Sequence, residues 1–240
     1  MNTIKFEDKG NIKMIAHRGV SGLERENTCP AFVAAGVKSY YGIETDVHVT
    51  KDGKIIVIHD DDLMRVAGNE MVVKESNFDD LRAVRMKDID GVTERADLFL
   101  PTLEEYISIC KKYDKQAVLE LKNPMQKEIV WKIADTTKAL GWFERVTFIS
   151  FAGGNLVYLH EKFPEASAQF LSGYSTEEEI KFVLEHRFDA DFNCKYLTKE
   201  KVDILKSAGK TVNCWTVNTL EQARQMQEFG VDMITTNILE

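Results

Sequence analysis

Several things are scarce in this chain, and each shortage removes a class of protein. The four cysteines, Cys29, Cys110, Cys194 and Cys214, form no CxxC pair and no Cys/His cluster, so neither a zinc site nor a disulfide framework is indicated. Buried free thiols are the expectation. No stretch approaches the ~20 apolar residues needed to cross a bilayer, and the opening MNTIKFEDKG lacks the apolar run of a signal peptide. Together these predict no membrane span and a reducing, cytoplasmic setting. Basic blocks are missing too, and with a formal net charge of −8 the chain is not expected to bind nucleic acid. Linkers rich in Pro, Ser or Gly and internal repeats are absent, which predicts that residues 1–240 form a single domain.

The residues that are present, 44% hydrophobic and 29% charged, suit a globular protein with a large core. Eight short apolar runs rich in β-branched residues lie at about 12–16, 42–47, 116–121, 145–150, 167–171, 190–194, 211–217 and 231–235. Each of the first seven is followed by a segment of helical spacing. Such alternation is the pattern of a mostly parallel sheet covered by helices, at about thirty residues per unit. The punctuation agrees: Asn27 and Thr28 can cap the first helix, Pro124 stands near the start of another, and Ser175 opens STEEEIKFVLEH with acids in its first turn. Gly209 and Gly230 suit helix C-termini. The fold class read from this is α/β, a (β/α)8 TIM barrel, with a small insertion between the second and third barrel strands at approximately 48–115. Within that insertion 55–58 reads as a strand, and SNFDDLRAV and PTLEEYISICKKY read as helices. An open doubly wound sheet would carry a Gly-rich loop after its first strand, and HRGVSGLEREN is not one.

Side chains two apart on a strand share a face, and the C-terminal strand ends of a parallel barrel form its active rim. Glu44 and Asp46 are such a pair on the second strand, and Glu120 and Lys122 on the third. Turned inward, three carboxylates would converge and repel unless one divalent cation sat among them; an all-oxygen set suits Mg²⁺ or Ca²⁺. An ExD pair alone is as readily a solvated strand edge. Here, however, His17, Arg18 and His59 close apolar runs nearby, supplying an acid, a base and a cation for phosphodiester cleavage. His48, His160 and His186 are read as structural. On a net acidic chain, an anionic substrate must be met by local positive charge.

The segments IAHRG (15–19), ENTCPAF (26–32), GIETDVHVTKDGKIIVIHDDDLMRVAG (42–68), PTLEE (101–105), LELK (119–122) and WTVN (215–218) resemble the glycerophosphodiester phosphodiesterase family over nearly the whole chain. The resemblance implies metal-dependent hydrolysis of glycerophosphodiesters to glycerol 3-phosphate and an alcohol, by way of a cyclic phosphate. Glu44, Asp46 and Glu120 would hold the ion, His17 and His59 would be general acid and base in either order, and Arg18 and Lys122 would contact phosphate. Trp215 would pack on the glycerol moiety, although a core aromatic is the competing role. The family commonly has Asp at Asn237 and another polar residue at His48; neither departure is expected to touch the chemistry. The insertion would be the family's small cap over the mouth. Two rivals are a related barrel phospholipase acting on lysophospholipids or sphingomyelin, usually secreted and disulfide-bonded, and a silent barrel that only binds a phosphorylated ligand.

Overall fold

The computed structural model describes residues 2–91 and 95–240. In chain order its elements are β1 (Lys13–Ala16), α1 (Cys29–Gly36), β2 (Gly42–Val49), β3 (Ile55–Val57), α2 (Met64–Ala67), α3 (Phe78–Ala83), α4 (Leu103–Lys112), β4 (Gln116–Leu121) and α5 (Lys127–Ala139). They continue as β5 (Val146–Ser150), α6 (Gly153–Lys162), β6 (Ser167–Ser172), α7 (Glu177–His186), β7 (Asp189–Asn193), α8 (Lys199–Ser207), β8 (Val212–Trp215), α9 (Leu220–Phe229) and β9 (Met233–Thr236). β1 pairs in parallel with both β2 and β9, which closes eight parallel strands into the expected (β/α)8 barrel. β3 lies antiparallel on the last residues of β2, above the stretch that β1 occupies.

The helix starts follow from local chemistry. Thr28, Thr102, Thr176, Thr198 and Thr219 each accept a backbone N–H of the first turn, and Thr102/Glu105 and Thr176/Glu179 are reciprocal capping boxes. Thr176 rather than Ser175 therefore opens its helix; Ser175 sits before it at φ 49° with its hydroxyl on the Tyr196 carbonyl. Two residues, Met125 and Gln126, separate Pro124 from the start of α5. The run read as strand over 211–217 stops at Trp215; beyond it the Val217 N–H still donates to the Thr235 carbonyl, and the Asn218 side chain accepts the Asn237 N–H.

Strand alternation sorts the barrel into two cores. Ile43, Val47, Ala117, Leu119, Leu121 and Phe148 face outward and join Phe32, Tyr106 and Ile133 of the helices. Ile15, Val118, Ile149 and Leu171 face inward and fill the ring with Tyr41, Trp215 and Met233 packed against them. A third cluster, including Ile56, Ile58, Leu63, Val66, Leu81, Met86 and Leu98, belongs to the segment added after β2. That segment ends earlier than the sequence suggests. α4, read as part of the insertion, packs on α1, β2 and β4, and the Tyr106 hydroxyl donates to the carbonyl of Ile43 at 2.7 Å. It is the ordinary crossover helix between β2 and β4. All four cysteines are free; Cys110 and Cys214 are buried as expected, but Cys29 and Cys194 are only partly so.

Candidate active site

His17 and Arg18 follow β1 directly, and the chain turns sharply there. Arg18 adopts a left-handed φ of 53° and Gly19 one of 76°; a Cβ on Gly19 would stand 2.6 Å from the main-chain carbonyl carbon of Ala31. Only glycine fits at that point, and the turn aims the Arg18 N–H at Glu44 Oε2, 2.7 Å away. The guanidinium folds back between Glu26, at 2.8 Å, and Asp46, at 3.5 Å.

Glu44 and Asp46 stand on the inner face of β2, and the parallel register sets Asp46 beside Glu120 of β4. The three carboxylates are buried, and one oxygen from each lies within 4.8 Å of the others. One Asp46 oxygen is tied down. The Asn27 amide donates to Asp46 Oδ2 at 2.7 Å and is itself fixed by the Thr45 hydroxyl at 2.7 Å. Asp46 Oδ1, by contrast, is buried with no hydrogen-bond partner. An orphaned acceptor inside a trio of like charges is what a bound hard cation would satisfy, so the residues fit the ion that the sequence implies. Lys122 lies 2.9 Å from Glu120 and 3.7 Å from Asp46, in partial compensation.

The electrostatics reflect the crowding. Burial and then the charge of Asp46 raise Glu44 well above the usual carboxylate range, and the same two causes push Glu120 up to about 8. For Asp46 burial is overcome by Arg18, Lys122 and His59, which hold it at about 2.

The two imidazoles approach from different elements. His17 Nδ1 bonds Asn237 Oδ1 at 2.7 Å, which leaves Nε2 toward the carboxylates, 4.0 Å from Glu44. Asn237, which the sequence reading set apart from the chemistry, thus contacts His17 directly; β1 and β9 meet only when the ring closes. Burial and the neighbouring Arg18 hold His17 down at about 4. His59 stands just past β3, its Nδ1 2.6 Å from Asp60 Oδ1. Asp60 is gripped by Arg65 of α2 at 2.7 Å, Arg65 also grips Glu26 at 2.7 Å, and Glu26 in turn holds Arg18. A continuous chain of charges thus links His59 to Arg18. Sequence reading missed Glu26, Asp60 and Arg65, though all three lie within the quoted motif segments. His48 props the site, its Nε2 3.0 Å from the His59 carbonyl oxygen, while His160 and His186 sit in α6 and α7.

A cavity of about 160 Å³ joins these groups. One side carries His17, Arg18, Glu44, His59 and Glu120; the other is the apolar wall of Ile149, Phe151, Leu171 and Trp215, with Asp191 and Thr235 in its lining. The Trp215 indole meets Phe151 edge to face at 5.5 Å and donates to the Asp191 carbonyl at 3.1 Å. Of the eight site residues expected from the sequence, six line this cavity; Asp46 and Lys122 do not, and the Lys122 ammonium lies between Asp46 and Glu120. Such a site can bind an anion, take up a proton at one end and release one at the other.

Residues 17–240 match the profile of the glycerophosphoryl diester phosphodiesterase family. Among curated proteins, the chain is 29% identical to a glycerophosphodiester phosphodiesterase of Bacillus altitudinis, with 94% of each chain covered. It is 30% identical to one of Caldanaerobacter subterraneus, with 93% of each covered. Among solved structures, a glycerophosphodiester phosphodiesterase of Parabacteroides distasonis superposes with a TM-score of 0.76 at 29% identity, over 95% of this chain and 93% of that one. A phosphodiesterase of Oleispira antarctica in complex with its product sn-glycerol-3-phosphate superposes with a TM-score of 0.84 at 22% identity, over 94% and 92%.

Proposed function

Because the chain belongs to the glycerophosphoryl diester phosphodiesterase family and is a phosphoric diester hydrolase, we propose that it converts glycerophosphodiesters to glycerol 3-phosphate and an alcohol with one divalent cation and two histidines. The observation that carries this reading is the orphaned Asp46 oxygen among three buried carboxylates, flanked by two imidazoles whose Nδ1 atoms are both engaged. The Oleispira antarctica phosphodiesterase, alike in fold, is in complex with its product sn-glycerol-3-phosphate, which supports glycerol 3-phosphate as the product here.

Glu44, Asp46 and Glu120 would hold Mg²⁺ or Ca²⁺, which when bound supplies Lewis-acid charge against the phosphoryl oxygens. Arg18, in the cavity lining, meets the remaining negative charge of the diester, and Lys122, held against Glu120 and Asp46 outside that lining, adds its charge at longer range. Neutral His17 takes the proton of the glycerol 2-hydroxyl through Nε2 while that oxygen attacks phosphorus, and the bond to the leaving oxygen breaks. His59 protonates the departing alkoxide. The assignment rests on the two partners: burial, with Arg18 and Lys122, lowers His59 as well, but the Asp60 carboxylate on its Nδ1 works against that and favours an imidazolium, whereas the Asn237 amide oxygen offers His17 no full charge. Attack within the substrate has an effective molarity of up to about 10⁵ M or more, which favours a cyclic phosphate over direct hydrolysis. Water then opens the ring with the histidines exchanging roles. Trp215 and Phe151 cover the glycerol carbons and keep bulk water out. The free thiols suit a reducing cytoplasm, and residues 1–240 would act as a single domain.

Glycerol 3-phosphate release from glycerophosphocholine should appear with Mg²⁺ or Ca²⁺, fall to background in excess EDTA, and drop by roughly 10² to 10⁴ in kcat for His17→Ala or His59→Ala. Full turnover in EDTA, or in either variant, would remove the ion or the histidine from the scheme.

A further inference from the structure

Among the described residues, Asp191 is the one ionisable side chain on the apolar half of the cavity, and it belongs neither to the carboxylate trio nor to the two histidines. It projects from the inner face of β7, between Leu171 of β6 and Asn213 of β8 in register, and is 1% exposed. Its Oδ1 has no hydrogen-bond partner. Leaving a buried polar atom unpaired costs stability, so a retained one at a cavity wall points to a ligand that completes it.

The position limits what that ligand group can be. Around Asp191 the wall is Ile149, Leu171 and Trp215, suited to methylene carbons, while the cationic and metal-ligating groups stand opposite. A carboxylate facing a phosphodiester would repel it, but burial pushes Asp191 up to about 8, against the pull of Asn213, so the group is a neutral acid at neutral pH. A neutral carboxyl group can both accept from and donate to a hydroxyl. We propose that Asp191 determines specificity for the glycerol moiety by hydrogen-bonding its terminal hydroxyl, the one that takes no part in attack on phosphorus. This deepens the glycerophosphodiesterase reading and rests on it: the substrate class becomes diesters with an unsubstituted glycerol end, and a diol or an acylated glycerol in that place would be discriminated against.

The test compares glycerophosphocholine with 2-hydroxypropyl phosphocholine, which keeps the attacking hydroxyl and lacks the terminal one. The wild-type enzyme should prefer the glycerol diester by about 10- to 100-fold in kcat/KM, as expected when a buried polar group is left unpaired. Asp191→Leu should erase that preference to within about two-fold, its loss falling on the glycerol diester and mainly on KM, while Asp191→Asn should keep most of it. The thermal midpoint of Asp191→Leu should equal or exceed that of the wild type, because an orphaned polar group has been replaced by an apolar one. Equal use of both diesters by the wild type, or a preference that survives in Asp191→Leu, would overturn the proposal. So would an Asp191→Asn variant that folds and loses both substrates equally. A wild-type enzyme that turned over neither diester would overturn the underlying reading, and this inference with it.

Discussion

Asn237 and Asp60 do the same mechanical job, holding an imidazole by Nδ1, but with different charge. An amide leaves His17 to the effects of burial and Arg18, which hold it at about 4, so it is a free base across the neutral range. Replacing the amide by a carboxylate would favour the protonated ring and raise that value. For a general base, activity is lost as pH falls through its pKa, so Asn237→Asp should move the acid limb of kcat/KM to higher pH by roughly one to two units. A profile that superposes on the wild type would mean that His17 is not the group that must be unprotonated. Asn237 carries no catalytic signal in its local sequence, since the partner that gives it meaning is 220 positions away.

At the scale of elements, a four-residue helix in the insertion reaches the chemistry. Arg65 of α2 joins Asp60 to Glu26 with four hydrogen bonds, and through them orients His59 on one side and Arg18 on the other. Its side chain is nearly half exposed, so the contribution to stability is small, about 1 kcal/mol or less. Its contribution to geometry is larger. Arg65→Met should lower kcat and raise KM together, each by roughly 3- to 10-fold, with little change in thermal midpoint, and Arg65→Lys should recover only part because one ammonium cannot make the paired contacts. Unaltered kinetics in Arg65→Met would show that the cap does not orient the histidine. The motif IIVIHDDDLMRVAG lies in plain view in the sequence, yet periodicity shows only a strand there. That Arg65 turns back across Asp60 to Glu26 follows from how the insertion folds on its own apolar cluster.

For the molecule as a whole, the carboxylate trio is a stored repulsion that a cation relieves. Glu120, pushed up to about 8 by burial and Asp46, keeps its proton in the metal-free folded protein, whereas the unfolded chain releases it near pH 4. The folded state therefore binds more protons between about pH 4 and 8, and stability falls as pH rises through that window. A divalent ion competes with that proton, so its stabilising effect should grow from pH 5 to pH 8. With the ion at about 100 times its Kd, the midpoint at pH 8 should rise by roughly 5 to 10 °C. Thermal denaturation at the two pH values, with and without Mg²⁺ or Ca²⁺, checks this; no rise at either, or a larger one at pH 5, would contradict it.

The sequence alone determined the barrel, because strand and helix periods, threonine caps and βα spacing are local properties written in neighbouring residues. It also determined the carboxylate pairs: alternation along a strand puts Glu44 with Asp46, and Glu120 with Lys122, on shared faces whatever the partner strands do. Tertiary structure decided which strands adjoin and what stands behind each side chain of the site. The Asn237 contact to His17, the return of Arg65 to Glu26, the placing of α4 in the outer ring and the unpaired Asp191 oxygen all depend on ring closure or on loop packing. These relations join residues far apart along the chain, and no local period encodes a distance between them.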